Sequence, residues 1–197
     1  MKNHANDSPQ TDTVLSDTRI WLERAVIGLN LCPFAKGVQV KGQIHYSVSA
    51  ATSPQDLLDD LKGELKDLVA LDSSVRDTTL LIAPHCLQDF LDFNDFLPKA
   101  DKVLKSMKLD GVIQIASFHP QFQFAGTDVD DITNYTNRAP YPTLHLIREA
   151  SIDRAVKAFP EAETILEATM QTMEQLGHEG WNALGVGPST TRGKMKR

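Results

Sequence analysis

Three kinds of side chain in this sequence can do chemistry near neutral pH. Two cysteines, Cys32 and Cys86, supply thiols. His119 and His145 supply imidazoles, which accept a proton or ligate a metal in that range. Arg138 and Arg148 supply guanidinium forks that match a carboxylate or phosphate. Cys32 lies between a predicted helix end and Pro33. A helix C-terminus there would raise the thiol pKa, whereas a new turn opened by Pro33, with Cys32 as its cap, would favour the thiolate. His119-Pro120 opens a long loop at the end of a predicted strand. It reads either as a general acid/base or metal ligand, or as a histidine bonded to the loop's own backbone. His145 stands between Leu144 and Leu146 on an apolar strand, as a core residue or as a group orienting the site from behind. Arg138 has Asn137 beside it in the loop. Arg148 precedes Glu149, so a salt bridge is its plainer reading. Asp128, Asp130 and Asp131 offer a cation site or simply a solvated acidic loop.

The leading expectation is an enzyme acting on a small anionic substrate, with His119, Cys32 and His145 catalytic and Asn137, Arg138, Arg148 and Thr127 holding the substrate. One alternative is a zinc or iron protein with Cys32, His119 and His145 as ligands, joined by Asp128. Another is a non-catalytic module that binds a ligand or protein through the loop and 139–142. No cofactor is readable. The chain contains no Walker phosphate loop, G-x-G-x-x-G, H-E-x-x-H, C-x-x-C or G-x-S-x-G. That disfavours common nucleotide hydrolases, dinucleotide enzymes, zincins and α/β-hydrolases.

Three blocks have unusual local composition: 29–35 (LNLCPFA), 116–128 (ASFHPQFQFAGTD) and 136–149 (TNRAPYPTLHLIRE). Together they resemble the signature of a mostly bacterial family, the domain-of-unknown-function family 1415, over about residues 12–185. The resemblance implies that Cys32, His119, Asn137, Arg138, His145 and Arg148 occupy family motif positions. It implies no reaction. His85 and Cys86 fall outside the blocks.

Elements must position these residues. A first helix is predicted from Asp12 or Asp17, with Asp17 as a possible cap, to Leu29. Residues 38–49 read as a strand, with Lys41-Gly42 a turn or bulge. Ser53, Pro54 and Asp56 mark the start of a second helix with a leucine stripe. Residues 78–83 form an apolar strand suited to burial on both faces. A helical region over 87–107 is expected to be divided at Pro98. Strands at 112–118 and 143–147 flank the long loop 119–142. Phe118, Phe122 and Phe124 would share a face if the strand continued. Ser151 opens a short helix, and Pro160 opens a last one closed by Gly177.

Alternating helices and strands predict an α/β fold, a mostly parallel sheet of four or five strands with flanking helices. A two-layer α+β sandwich is the alternative. Parallel strands would bring His85-Cys86 and His119 to one carboxyl edge. Residues 12–185 read as a single domain, 1–11 as a disordered tail and 186–197 as a basic flexible tail.

With 197 residues, 41% of them hydrophobic, there is enough chain for one sizeable core. A net charge of −6 argues against a dedicated nucleic-acid binder. The N-terminus lacks a signal-peptide pattern and no stretch suits a membrane span. The expectation is therefore a cytoplasmic protein with free thiols and no membrane partner. The oligomeric state is not readable.

Overall fold

A computed structural model describes residues 10–158 and 165–189. Helix α1 (Thr11–Trp21) runs into a π-helical turn (Leu22–Ile27), followed by α2 (Ala35–Val40), β1 (Ile44–Val48), α3 (Pro54–Ala70), β2 (Thr78–Ile82), α4 (Phe90–Ser106) and β3 (Ile113–Phe118). A 3-10 turn (Ile132–Asn137) interrupts the long loop. Then come β4 (Thr143–Arg148), α5 (Glu149–Ala158) and α6 (Ile165–Ala183).

Local chemistry explains the clearest boundaries. The Ser53 hydroxyl accepts the Asp56 N–H at the start of α3, with Pro54 in the first turn. The Asp89 carboxylate accepts the Leu91 and Asp92 N–H groups at 2.8 and 3.2 Å at the start of α4. All five residues of β2 are buried, as a central apolar strand requires.

The four strands lie in the order β1-β2-β4-β3. The β1–β2 pair is parallel; β4 runs antiparallel to both β2 and β3. The sheet is therefore mixed rather than mostly parallel. Helical crossovers keep β1, β2 and β3 pointing one way. The last strand follows the loop 119–142 instead of a helix, and it enters between β2 and β3 in the opposite sense.

Helices cover both faces. On one, Leu57, Leu61, Leu65 and Leu68 of α3 meet Phe93 and Phe96 of α4 over Leu81, Leu144 and Leu146. Each such leucine contributes roughly 2 kcal/mol of burial. On the other, Val14 of α1 packs over Leu80 and Ile82. Trp21, Ala25, Met173 and Trp181 form a neighbouring cluster there, against Phe118.

Several expectations need correction. Residues Val38–Val40 end the short α2, and Gly42 (φ 67) turns the chain into β1. Residues two apart fall on different sides of a helix, and here Val38 lines a cavity while Val40 is exposed, so the alternation did not mark one buried face. Pro98 lies inside an unbroken α4, where Phe93, Phe96, Ala100 and Val103 are buried around it. Their packing outweighs the roughly 3 kcal/mol that an internal proline costs. Asp17 does not cap α1, which starts at Thr11. Instead it is fully buried. Its carboxylate accepts the Tyr141 hydroxyl at 2.8 Å and the Ser189 hydroxyl at 2.6 Å. Gly177 (φ 62, ψ 178) does close a helix as expected, but a second helical stretch follows it to Ala183. Pro160, and the ends 1–9 and 190–197, lie outside the described residues.

No helix among the described residues is long and apolar enough to cross a membrane.

Candidate functional site

A cavity of about 890 Å³ opens on the α1 face of the sheet. Its floor is built by alternate residues of the strands, which point to one side of the pleat. These include Ile44, Thr78, Ala116, Phe118, His145 and Ile147. Leu80, His145 and Ala116 stand in register across β2, β4 and β3, so His145 occupies the middle of the floor. Trp21, Leu22 and Val26 supply one wall, and α5 contributes Ile152 and Ala155.

The π-helical turn matters to this geometry. Its wider winding leaves the Val26 carbonyl accepting both the Leu31 and Cys32 N–H groups, at 2.9 and 3.4 Å. This holds the segment with Cys32, Pro33 and Phe34 against the cavity, which all three line. Helix α2 starts at Ala35 with Phe34 as its cap, so Cys32 is not a helix cap. Cys32 is a half-buried free thiol.

His145 is partly exposed, and it lines the cavity. Its Nε2 lies 2.6 Å from Thr78 Oγ1. The same oxygen donates to the Leu146 carbonyl at 2.7 Å. No described residue hydrogen-bonds Nδ1. Burial pushes the imidazole pKa from 6.5 down to about 4, so the ring is neutral at pH 7. At the exposed rim stand Lys41 and Arg154. Arg154 has Asp77 at 3.7 Å and donates to Ser151 at 2.9 Å. Lys41 forms no ion pair among the described residues.

His119 lies elsewhere and is fully buried. Its Nδ1 accepts the Gln121 N–H at 3.0 Å, which leaves Nε2 to donate to the Leu87 carbonyl at 3.1 Å. Phe90 and Phe93 of α4 pack on its ring with centroids 5.4 and 5.1 Å away. Burial lowers its pKa. Both nitrogens are engaged by backbone, leaving no lone pair or proton to offer a substrate. The expected meeting of His119 with the segment after β2 does occur, because β2 and β3 point the same way. It occurs as a structural brace. Cys86 in that segment is buried, and burial pushes its thiol pKa up.

The other loop residues are likewise engaged within the fold. Arg138 donates from Nε to the Phe122 carbonyl at 3.1 Å and from Nη2 to that of Val129 at 2.8 Å, with its guanidinium 4.1 Å above the Tyr135 ring. Asn137 Nδ2 donates to the Ser117 carbonyl at 3.4 Å. The Thr127 hydroxyl lies 2.9 Å from the Phe124 carbonyl and 2.8 Å from Asn134 Oδ1. Asp131 caps the 3-10 turn, and the Thr133 hydroxyl and N–H hold its carboxyl below the usual range. Asn134, fully buried, ties the loop together by accepting the Phe124 N–H and donating to the Asp128 carbonyl. Arg148 reaches the carbonyls of Leu68, Leu71 and Arg76, capping the open end of α3. Phe118 faces the cavity and Trp21, whereas Phe122 and Phe124 meet edge to face in the loop, past the end of β3.

The cavity therefore brings together Cys32 and His145, without His119. Among the described residues no three His, Cys, Asp or Glu side chains are placed to hold a metal ion. The ligand set Cys32, His119 and His145 is not assembled. Thr78, Lys41 and Arg154 were missed by sequence reasoning. Thr78 opens an apolar strand, and only the register shows that its hydroxyl meets His145. The two cations carry no local signal, since surface lysines and arginines are common.

The chain belongs to the family described as Protein of unknown function (DUF1415), whose model matches residues 13–183. No curated protein matches it at a significant level, and neither does any solved structure.

Proposed function

We propose that this protein binds a small, largely apolar molecule carrying one anionic group, and that the cavity over His145 is its site. The carrying observation is the distribution of polar groups in that cavity. Its walls are largely aliphatic and aromatic, and its floor has His145 and Thr78. Cys32 lines it from the segment before α2, Gln43, Ser73, Ser74, Asp77 and Ser151 add polar lining, and its exposed rim has Lys41 and Arg154. A large apolar recess with a few convergent polar groups is the usual form of a small-molecule site. The rim cations would take the anion in place of Arg138 and Arg148, whose guanidinium groups are already bonded to backbone carbonyls.

Binding of anilinonaphthalene sulfonate, an apolar anion that fluoresces in dry surroundings, tests this. One saturable site is expected. Ala116→Phe, which fills the floor, should abolish it while leaving the melting temperature within a few degrees. Lys41→Glu should weaken it severalfold. No saturable binding, or binding indifferent to Ala116→Phe, overturns the reading.

A catalytic reading is supported by Cys32 and His145 sharing one cavity. Any thiol step would use that pair, not Cys32 with His119. The low pKa of His145 keeps its imidazole from serving as a charged partner in such a pair, so binding is placed first.

A further inference from the structure

We propose that Thr78 makes the cavity selective for ligands that present a hydrogen-bond donor, such as a hydroxyl, to Nδ1 of His145. The proposal rests on the binding reading above and names the ligand chemistry it requires. The argument begins with a single proton. A threonine hydroxyl has one hydrogen to donate. Thr78 Oγ1 lies 2.7 Å from the Leu146 carbonyl oxygen and 2.6 Å from His145 Nε2. The carbonyl can only accept. Were the hydroxyl proton aimed at His145, two lone-pair oxygens would face each other at hydrogen-bond distance inside the fold. The proton therefore points to Leu146, and Thr78 accepts from Nε2–H.

A neutral imidazole has one N–H, and that N–H is engaged by Thr78. Nδ1 is then an acceptor, with no bond to a described residue. The adjoining floor residues, Leu80, Ala116, Phe118 and Ile147, have no side-chain donor to offer it. A ligand hydroxyl or amide N–H placed there completes the chain ligand–His145–Thr78–Leu146, every link a donor meeting an acceptor. A ligand ether or ketone in the same place sets acceptor against acceptor and leaves Nδ1 desolvated. That mismatch costs an affinity factor of about ten or more. Thr78 acts as a positioning residue: it touches the histidine rather than the ligand. Together with the cations of the rim, this defines an amphipathic acid whose apolar body ends in a donor.

Two measurements test the proposal. Nitrogen NMR of histidine-labelled protein reads the tautomer of His145 without any ligand. The Nε2–H form is expected, and the Nδ1–H form overturns the proposal. Dissociation constants for para-hydroxyphenylbutanoate and its methyl ether then read the preference. The phenol should bind about tenfold or more tightly. In Thr78→Val, where the tautomer is released, the two constants should converge. Equal binding of the pair to the unsubstituted protein overturns the donor requirement and leaves the binding site standing. If the tautomer is Nε2–H but neither compound nor anilinonaphthalene sulfonate binds, the binding reading fails and the preference with it.

Discussion

His119 Nε2 stands 3.1 Å from the carbonyl oxygen of Leu87, a residue held at φ 56. A leucine in that left-handed region costs about 1–2 kcal/mol. The histidine secures the bend by bonding the carbonyl directly. Its other nitrogen fixes the turn after β3 through Gln121. His119→Ala leaves the Leu87 carbonyl and the Gln121 N–H without this partner, and opens a hole beside Phe93. Stability should fall by roughly 2–4 kcal/mol. Urea denaturation measures this, while the affinity of the folded protein for anilinonaphthalene sulfonate should change less than twofold. A large loss of affinity with stability intact would return His119 to the site.

The Asp17 carboxylate joins α1 to the approach to β4 and to the segment after α6. Tyr141→Phe removes the hydroxyl that donates to it at 2.8 Å. The fully buried Asp17 side chain then loses one donor, at a cost of about 1–3 kcal/mol. Ser189→Ala removes another donor in a less buried place, and its effect should be smaller. Thermal unfolding of the two variants gives the order.

Arg148 Nη2 reaches three carbonyls around the end of α3, and Nε is also directed at that of Arg76. A lysine ammonium stands one bond closer to its own backbone and has no second donor at the Nε position. Arg148→Lys should therefore cost about 1–2 kcal/mol although charge is kept. Chemical denaturation compares Arg148→Lys with Arg148→Met. Near-equal losses would show that geometry, not charge, is what the site requires.

The neutral His145 makes stability depend on pH. The folded pKa is lowered from 6.5 to about 4, so between those values the unfolded chain takes up a proton that the folded chain refuses. The stabilising effect of folding the ring neutral is complete above pH 6.5 and is lost as pH falls towards 4. The loss reaches about 3 kcal/mol at the acid end. His119, whose pKa burial also lowers, adds in the same direction. His145→Gln should flatten the acid limb of a plot of unfolding free energy against pH. An unchanged slope would show that His145 stays accessible to protons.

Cys32 and Cys86 should separate cleanly on alkylation. Cys32 is half-buried at the cavity, whereas Cys86 is buried and its thiol pKa is raised. Mass spectrometry after limited maleimide treatment should find Cys32 modified first. Saturating anilinonaphthalene sulfonate should slow that reaction severalfold. Protection of Cys86 instead would relocate the ligand.

Much of the frame was legible because it is written locally. Ser53 and Asp56 announce α3, and the run 78–83 announces a buried strand. The direction of β4 was not legible, since period-two alternation is the same in either direction. The site was less legible still. Asn137, Arg138 and Arg148 have the chemistry of anion binders, but their partners are backbone carbonyls, which no sequence pattern displays. The cavity also begins near the amino-terminal ends of β1 and β2, at Ile44 and Thr78, away from the carboxyl edge where open α/β sheets usually place ligands. Pro98 shows the same limit from another side: local propensity yields to the aromatic residues packed around it.

The insertion of β4 between β2 and β3 has a kinetic consequence. Neither β2 nor β3 has its inner neighbour until residues 143–148 arrive, and β2 and β3 do not pair with each other. During synthesis, β1, α3, β2, α4 and β3 emerge with an apolar slot open through the middle of the sheet. Filling it needs contacts between residues far apart in sequence, which slows folding and leaves strand edges open to other chains. A nascent chain arrested before Thr143 should be protease-sensitive and prone to aggregate, and release of a few dozen further residues should convert it to a resistant form.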